Sequence, residues 1–245
     1  MLYYSVAHYY DVDIDTHYKY GTARGKNKYK NIESHINVLK KLDIKDKAFV
    51  ITSTINAEKG DKRYEEVKNE LYNFCKKLLP NNEIYVIVTY NWGGTIAALW
   101  NAYKLLKGKE GYLAHFEEDF GPLNTKWYKE SIKLLDNNTI YIGESNIGRI
   151  KKETNRGNKP QNQLIGLIPE VWTDGGYYFS TLDRLEKIEE KIGIFHKGDQ
   201  NKKYTNLIDG IDLGEVGFPT LLYHADLKFN CLLRSKYFNN EWNDN

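Results

Sequence analysis

The sequence predicts an α/β protein with one central, mostly parallel sheet and helices packed on its faces. The main observation is that short apolar runs alternate with segments of helical periodicity through the first half of the chain. The second is the length, because 245 residues suffice for one large domain with a substantial core. We therefore expect a single domain over 1–245.

Six apolar runs are the predicted strands, since each is short and ends near turn-forming or polar residues. In the first half they are LYYSVAHY at 2–9, KAFVITST at 47–54, EIYVIVTY at 83–90 and GYLAHFE at 111–117. In the second half they are TIYIGES at 139–145 and EVWTDGGYYFS at 170–180.

Five segments between these runs carry apolar residues at helical spacing and are predicted helices. Two of them should begin at Thr95 and Thr125, whose side chains can cap the free backbone N–H groups of a first turn. The polar, basic segment 146–163 predicts a long mobile loop. The helical segments and their inward residues are 29–42 (Ile32, Ile36, Leu39), 63–79 (Tyr64, Val67, Leu71, Phe74, Leu78), 95–106, 125–135 and 181–192 (Leu182, Leu185, Ile188, Ile192).

The composition limits the kinds of partner and compartment. A net charge of +2 provides no electrostatic case for nucleic-acid binding, so small or neutral partners are expected. Cys75 and Cys231 are far apart and show neither a metal spacing nor a disulfide framework, which favours a reducing compartment. No run approaches the roughly 20 apolar residues of a membrane span, and the start lacks signal-peptide features. We expect a cytoplasmic protein without a transmembrane segment.

The acidic residues Glu117, Glu118 and Asp119 directly follow a predicted buried strand. In an extended backbone, Glu117 and Asp119 would share one face and Glu118 would point to the other. Such a pair of carboxylates can hold a hard divalent cation that takes its other ligands from water and substrate phosphates. An isolated acidic triplet is more often a solvated turn, which the following Gly121 and Pro122 would suit.

A second pattern, TYNWGGTIAALWNAYKLLKG at 89–108, comes directly before the acidic strand. It places a strand end, two glycines and a helix start in succession, and the N-terminus of a helix can bind phosphate. Gly93 and Gly94 would equally serve a tight turn, because their spacing matches neither a Walker loop nor a dinucleotide fingerprint.

Together the two patterns resemble the GT-A glycosyltransferases, which transfer a sugar from a nucleotide-sugar to an acceptor. The matching residues are Asn91, Gly94, Ala97, Ala98 and Asn101, followed by the acidic strand GYLAHFEED. The resemblance covers 83–136 well and the remainder loosely. It implies a GT-A-like, Rossmann-related fold with a nucleotide-sugar-binding half at about 1–120 and an acceptor-binding half at about 121–245.

The resemblance also implies a division of roles among these residues. Asp119 would be the main ligand of Mn²⁺ or Mg²⁺, with Glu117 second or acting through water, and His224 a further ligand. The nucleotide base would lie against the end of the first strand, where Tyr9 or Tyr10 can stack on it, and Lys and Arg at 149–159 can close over the diphosphate. The implied donor-binding residues are Ala7, His8, Tyr9, Asn91, Gly94 and Glu118, the last facing the ribose.

An inverting enzyme of this class needs a carboxylate that takes the proton of the acceptor hydroxyl. Asp209, Asp212 and Asp174 are the candidates, although Asp174 can also form a turn and Asp212 a helix cap. The chain departs from the family in two ways: its motif is E-E-D rather than D-x-D, and the Glu-Asp pair that often supplies the base is missing.

The expected function is metal-dependent sugar transfer, with a UDP-sugar favoured as donor and a carbohydrate or glycoconjugate as acceptor. Two alternatives stay open: a nucleotidyltransferase acting on a sugar phosphate, and a non-catalytic sugar-binding protein of the same fold. A glycoside hydrolase is disfavoured, because its two carboxylates must lie about 5 to 9.5 Å apart across the bond, which adjacent residues cannot do.

Overall fold

The computed structural model places seven strands of the described residues in one sheet, with the order β3-β2-β1-β4-β7-β6-β8. Strand β7 is antiparallel to both of its neighbours, whereas the other adjacent pairs are parallel. This arrangement confirms the predicted α/β class with a mostly parallel sheet. The described residues are 1–11, 29–55, 61–90, 94–145, 174–193, 218, 222–223 and 225–239.

Six of the seven sheet strands agree closely with the predicted apolar runs, and β1 and β3 have the predicted bounds, whereas β8 matches none of these runs. A short separate pairing joins β5, Gly121–Pro122, to β9, Phe238–Asn239. The predicted mobile loop at 146–163 lies outside the described residues. The strands of the main sheet are β1 (Leu2–Tyr9), β2 (Lys47–Ile55), β3 (Glu83–Tyr90), β4 (Tyr112–Glu117), β6 (Tyr141–Ser145), β7 (Asp174–Thr181) and β8 (Phe229–Leu233).

Helices cover both faces of the sheet, and side chains that alternate along each strand divide the core in two. Helices α1, α2 and α4 contribute to the core on one face, and α3 and α5 to the core on the other. In β1, Tyr4 belongs to the first core and Tyr3 to the second. The helices are α1 (Lys30–Lys41), α2 (Arg63–Leu78), α3 (Gly94–Leu106), α4 (Lys126–Leu134), α5 (Leu182–Ile192) and α6 (Arg234–Tyr237).

The predicted inward faces of three helices are largely confirmed by burial. The predicted inward residues of α1 and α5 are all buried, whereas Tyr64, Phe74 and Leu78 of α2 are only partly buried. Cys75 adds a further buried position to the same face of α2. None of the helices in the described part of the chain is both long and apolar enough to cross a membrane.

The predicted threonine cap of α4 is wrong. Thr125 precedes the helix but makes no side-chain capping hydrogen bond. Asn124 does this instead, because its Oδ1 accepts a hydrogen bond of 2.9 Å from the backbone N–H of Lys126. An amide side chain one position earlier therefore satisfies a donor that the sequence pattern assigned to threonine.

Gly176 in β7 leaves room for the ring of Phe120, the residue that follows the acidic triplet. A Cβ atom at position 176 would lie 2.5 Å from Cγ of Phe120, far closer than van der Waals contact. We expect Gly176→Ala to lower the free energy of unfolding by about 1–3 kcal/mol, because ring and strand must move apart. Urea titrations in the wild-type and Phe120→Ala backgrounds test this. An equal cost in both backgrounds would contradict the clash, since alanine lacks the ring atoms that the new Cβ would meet.

Candidate active site

The carboxyl ends of β1, β2 and β4 meet at one edge of the sheet, which is where open α/β sheets bind ligands. Ala7 of β1 lies beside Glu117 of β4, and His8 lies beside Ser53 of β2. Strand β7 begins at the same edge, because it is antiparallel to β4. The acidic triplet therefore lies next to the end of β1.

The acidic triplet forms a turn. Strand β4 ends at Glu117, and the carbonyl of Glu117 accepts a hydrogen bond of 3.2 Å from the N–H of Phe120. The extended backbone assumed for these residues is thus wrong beyond Glu117. The burial nevertheless alternates, with Glu117 and Asp119 partly exposed and Glu118 only 3% exposed. We call residues 117–119 the acidic turn.

Glu118 joins the acidic turn to the end of β1. Its Oε2 accepts a hydrogen bond of 3.1 Å from the backbone N–H of Tyr9 and lies 3.8 Å from Nε2 of His8. Nδ1 of His8 is 2.9 Å from the hydroxyl oxygen of Ser53 in β2. The buried carboxylate thus helps to hold three strand ends in place, and its contact with a ribose stays a prediction.

Thr95, in the first turn of α3, also contacts the acidic turn. Its hydroxyl donates a hydrogen bond to Oε1 of Glu117, and the helix begins one residue earlier, at Gly94. Burial, and then the charge of Glu117, raise the pKa of the Tyr9 hydroxyl, while a hydrogen bond with Thr95 opposes the shift. Tyr9 is therefore a protonated hydroxyl beside the carboxylates.

His35 of α1 holds the backbone of the acidic turn. Its Nε2 lies 3.1 Å from the carbonyl oxygen of Glu117 and 3.2 Å from that of Glu118. Its Nδ1 lies 2.8 Å from the hydroxyl of Tyr4 in β1. Burial lowers the pKa of His35 to about 4, so the ring is neutral at pH 7. His35 was not predicted as a site residue, although its position three residues after Ile32 places it on the predicted inward face.

A second buried histidine lies on the opposite face of the sheet. Nδ1 of His115, in β4, is 2.8 Å from the hydroxyl oxygen of Ser5. Burial lowers the pKa of His115 to about 3. Because Tyr4 and Ser5 are consecutive residues of β1, their side chains reach the two histidines on opposite faces.

A buried ion pair lies at the same edge, toward β6 and β8. Nε and Nη2 of Arg234 donate to Oε2 and Oε1 of Glu144 at 2.7 and 2.6 Å. The backbone N–H of Gly176 donates to Oε1 of Glu144 at 3.3 Å, and the guanidinium lies 5.0 Å from the ring centre of Phe120. This pair was not predicted from the sequence either. The position of Glu144 next to the end of the predicted strand at 139–145 was the only local signal for it.

The structure places some of the predicted site residues together and leaves others undescribed. Ala7, His8, Tyr9, Glu117, Glu118 and Asp119 share the edge formed by β1 and β4, and Gly94 begins α3. Asp174 begins β7 at this edge, with Glu144 as its Cα partner. The predicted residues outside the described ranges are Asn91, Asp209, Asp212, His224 and the basic residues of 149–159.

The acidic turn fits part of a divalent-cation site. Within the described ranges, no three His, Cys, Asp or Glu side chains come together as a complete ligand set. Glu117 and Asp119 nevertheless supply two partly exposed carboxylates, which are hard oxygen ligands. Mg²⁺-type sites commonly use one or two carboxylates and complete their shell with water and substrate phosphates. The residues present therefore fit such an ion.

The sheet and the helices define the class of fold. The chain has an α/β fold: a seven-stranded, mostly parallel sheet of the described residues, flanked by helices, carries an acidic turn at the end of a central strand. This confirms the predicted α/β class, and the GT-A-like architecture stays what the resemblance implies. No model of a known protein family matches the chain, and neither does any curated protein sequence.

Several solved structures are similar to this chain at low identity. Mouse xyloside xylosyltransferase 1 has a TM-score of 0.49 and 10% identity over 95% of this chain and 85% of its own. The 4-diphosphocytidyl-2C-methyl-D-erythritol synthase of Anaerococcus prevotii has a TM-score of 0.48 and 8% identity over 95% and 88%. S. aureus TarS has a TM-score of 0.42 and 15% identity over 77% of this chain, which spans 49% of the TarS chain. The function proposed below therefore rests on this chain's own residues.

Proposed function

We propose that this chain is a metal-dependent glycosyltransferase that transfers a sugar from a nucleotide-diphospho-sugar, with a UDP-sugar favoured, to a hydroxyl of a carbohydrate or glycoconjugate. The observation that carries the proposal is the acidic turn at the carboxyl end of β4. It presents Glu117 and Asp119 partly exposed beside the end of β1. This edge is where nucleotide ligands of open α/β sheets bind.

Glu117 and Asp119 are the residues that would hold Mn²⁺ or Mg²⁺, with His224 as the further ligand that the family resemblance implies. Such an ion, when bound, stabilises the negative charge that develops on the departing diphosphate. Thr95 orients Glu117 through its hydroxyl, which limits the positions that this carboxylate can adopt.

The end of β1 would receive the nucleotide. Glu118 accepts a hydrogen bond from the backbone N–H of Tyr9. The adjacent His8 is hydrogen-bonded to Ser53 of β2, which also holds this segment in place. Because these contacts already fix the end of β1, less conformational entropy is lost when a ligand binds there. Tyr9 lies at this edge as a protonated hydroxyl, next to the carboxylates.

The acceptor would approach from the side of β7. Asp174 begins this strand at the same edge as the acidic turn and is a candidate for the base that takes the acceptor proton. Asp209 and Asp212 are the other candidates. We would replace each of the three aspartates by asparagine, one at a time, and measure donor hydrolysis and transfer to the acceptor separately. The base is the residue whose replacement abolishes transfer to the acceptor.

Replacing Asp119 by alanine should lower sugar transfer by about 100-fold or more, because the ion loses its main ligand. Glu117→Ala should lower it less. A matched control is Glu110→Ala, which removes an exposed carboxylate two residues before the start of β4, at the opposite edge of the sheet, and should leave the rate unchanged. The measurement is the initial rate with a panel of nucleotide-sugars in Mn²⁺ and in chelator.

Thermal shift with the same panel distinguishes the alternatives. A glycosyltransferase is stabilised by a nucleotide-diphospho-sugar only when Mn²⁺ or Mg²⁺ is present. A nucleotidyltransferase is stabilised by a nucleoside triphosphate and releases pyrophosphate when a sugar phosphate is added. A sugar-binding protein is stabilised by glycans alone. Full activity in chelator, or in Asp119→Ala, would refute the proposed metal site.

A further inference from the structure

We propose that His35 and Tyr4 are positioning residues that set the backbone of the acidic turn and so direct its outer carboxylates toward the sheet edge. This inference rests on the proposed function for the purpose of the carboxylates, but the contacts themselves are independent of it. His35 contacts the turn through the backbone carbonyls of Glu117 and Glu118, and both His35 and Tyr4 are buried. We expect their effect on the carboxylates to pass through the backbone.

The hydrogen-bond partners determine the tautomer of His35. Backbone carbonyls can only accept, so the ring nitrogen that faces the carbonyls of Glu117 and Glu118, Nε2, must carry the hydrogen. Nδ1 then has no hydrogen and accepts from the hydroxyl of Tyr4. Both ring nitrogens are thereby satisfied within the core, which holds the ring in one orientation.

A single N–H group can contact the carbonyl oxygens of two successive residues only where their backbone is not extended. In a strand, successive carbonyls point in opposite directions, whereas those of Glu117 and Glu118 both face Nε2 of His35. The histidine therefore favours the turn over continuation of β4. In this turn the side chain of Glu118 points inward to the N–H of Tyr9, and Glu117 and Asp119 are partly exposed.

Three variants separate the hydrogen bond from the volume of the ring. His35→Leu removes the donor, and His35→Gln retains an N–H donor close to the position of Nε2. Tyr4→Phe removes only the group that donates to Nδ1. The control is Leu39→Ala, which removes a fully buried apolar side chain from the same helix and touches no carbonyl of the turn.

The first readout needs no ligand. Long-range ¹H–¹⁵N spectra of the wild-type protein, with the ring assigned by its loss in His35→Gln, should show the Nε2–H tautomer. Backbone amide shifts of residues 117–119 should change strongly in His35→Leu, less in Tyr4→Phe, and little in His35→Gln or Leu39→Ala. An Nδ1–H tautomer, or turn shifts in Leu39→Ala equal to those in His35→Leu, would overturn the inference.

The second readout is Mn²⁺ affinity, measured by electron paramagnetic resonance with Mn²⁺ alone and with Mn²⁺ plus UDP. His35→Leu should raise the dissociation constant by about 10- to 100-fold, the usual effect of residues that orient ligands, and His35→Gln should restore most of the affinity. Unchanged affinity in His35→Leu would also overturn the inference. If wild-type protein binds no Mn²⁺, the proposed function fails, while the tautomer and amide shifts still decide the role of His35.

Discussion

Arg234→Met should lower the free energy of unfolding by about 3–5 kcal/mol, the usual cost of leaving a buried charge without its partner. The side chain of Glu144 is fully buried, and both of its oxygens are bound by Arg234. In the variant, Oε1 of Glu144 would keep the hydrogen bond from the N–H of Gly176 but would lose the positive charge of Arg234. Urea titration at pH 7 measures the loss.

Two controls distinguish this effect from a general sensitivity to lost charge. The double variant Glu144→Leu with Arg234→Met should recover most of the stability, because apolar replacement of both partners of a buried pair is often neutral. Lys107→Met breaks a more exposed pair with Glu189 and should cost at most about 1 kcal/mol. A cost below about 1 kcal/mol for Arg234→Met alone would show that Glu144 finds another partner or takes up a proton.

Lowering the pH from 7.5 to 5.5 should reduce the free energy of unfolding by about 3 kcal/mol through His35 and His115 together. Burial lowers the pKa of these residues to about 4 and about 3 in the folded protein, whereas an unfolded histidine titrates near 6.5. The unfolded chain therefore binds more protons in this range. The stability that both histidines contribute is complete above about pH 6.5 and is lost as the pH falls toward the folded values.

Urea titrations at pH 7.5, 6.5 and 5.5 measure this dependence in a range where carboxylates contribute little. His35→Gln and His115→Gln should each remove about half of it, because each eliminates one titrating group. If stability stays constant across this range in the wild-type protein, the two rings are not held neutral by burial. If only one variant flattens the curve, the other histidine titrates normally in the folded state.

The strands were predictable because their signal is local. β1 and β3 are apolar runs whose ends coincide with turn-forming or polar residues, so the pattern indicated both the element and its bounds. The inward face of α1 was equally predictable, since helical spacing selects Ile32, Ile36 and Leu39 whatever they pack against. Periodicity indicates which side of an element is buried.

The site contacts were less predictable because periodicity does not indicate which residue lies opposite. His35 and the carbonyl of Glu117 are 82 residues apart, and Glu144 and Arg234 are 90 apart. The geometry of the acidic turn was also mispredicted, because alternation along a strand says nothing about where the strand stops. Open α/β sheets bind ligands at the carboxyl ends of their strands, so the three consecutive acids sufficed to locate the site at this edge. They did not identify Glu118 as the residue that joins the acidic turn to β1.

The reversed direction of β7 has a consequence for how this protein can diversify. The chain leaves the sheet at Ser145 and returns at Asp174, and both points lie at the edge that carries the acidic turn. Because the sheet contacts of β6 and β7 fix both of these ends, the number of residues between Ser145 and Asp174 can change without shifting the register of any sheet strand. Relatives can thus differ in this one continuous stretch while they inherit the sheet and the acidic turn intact.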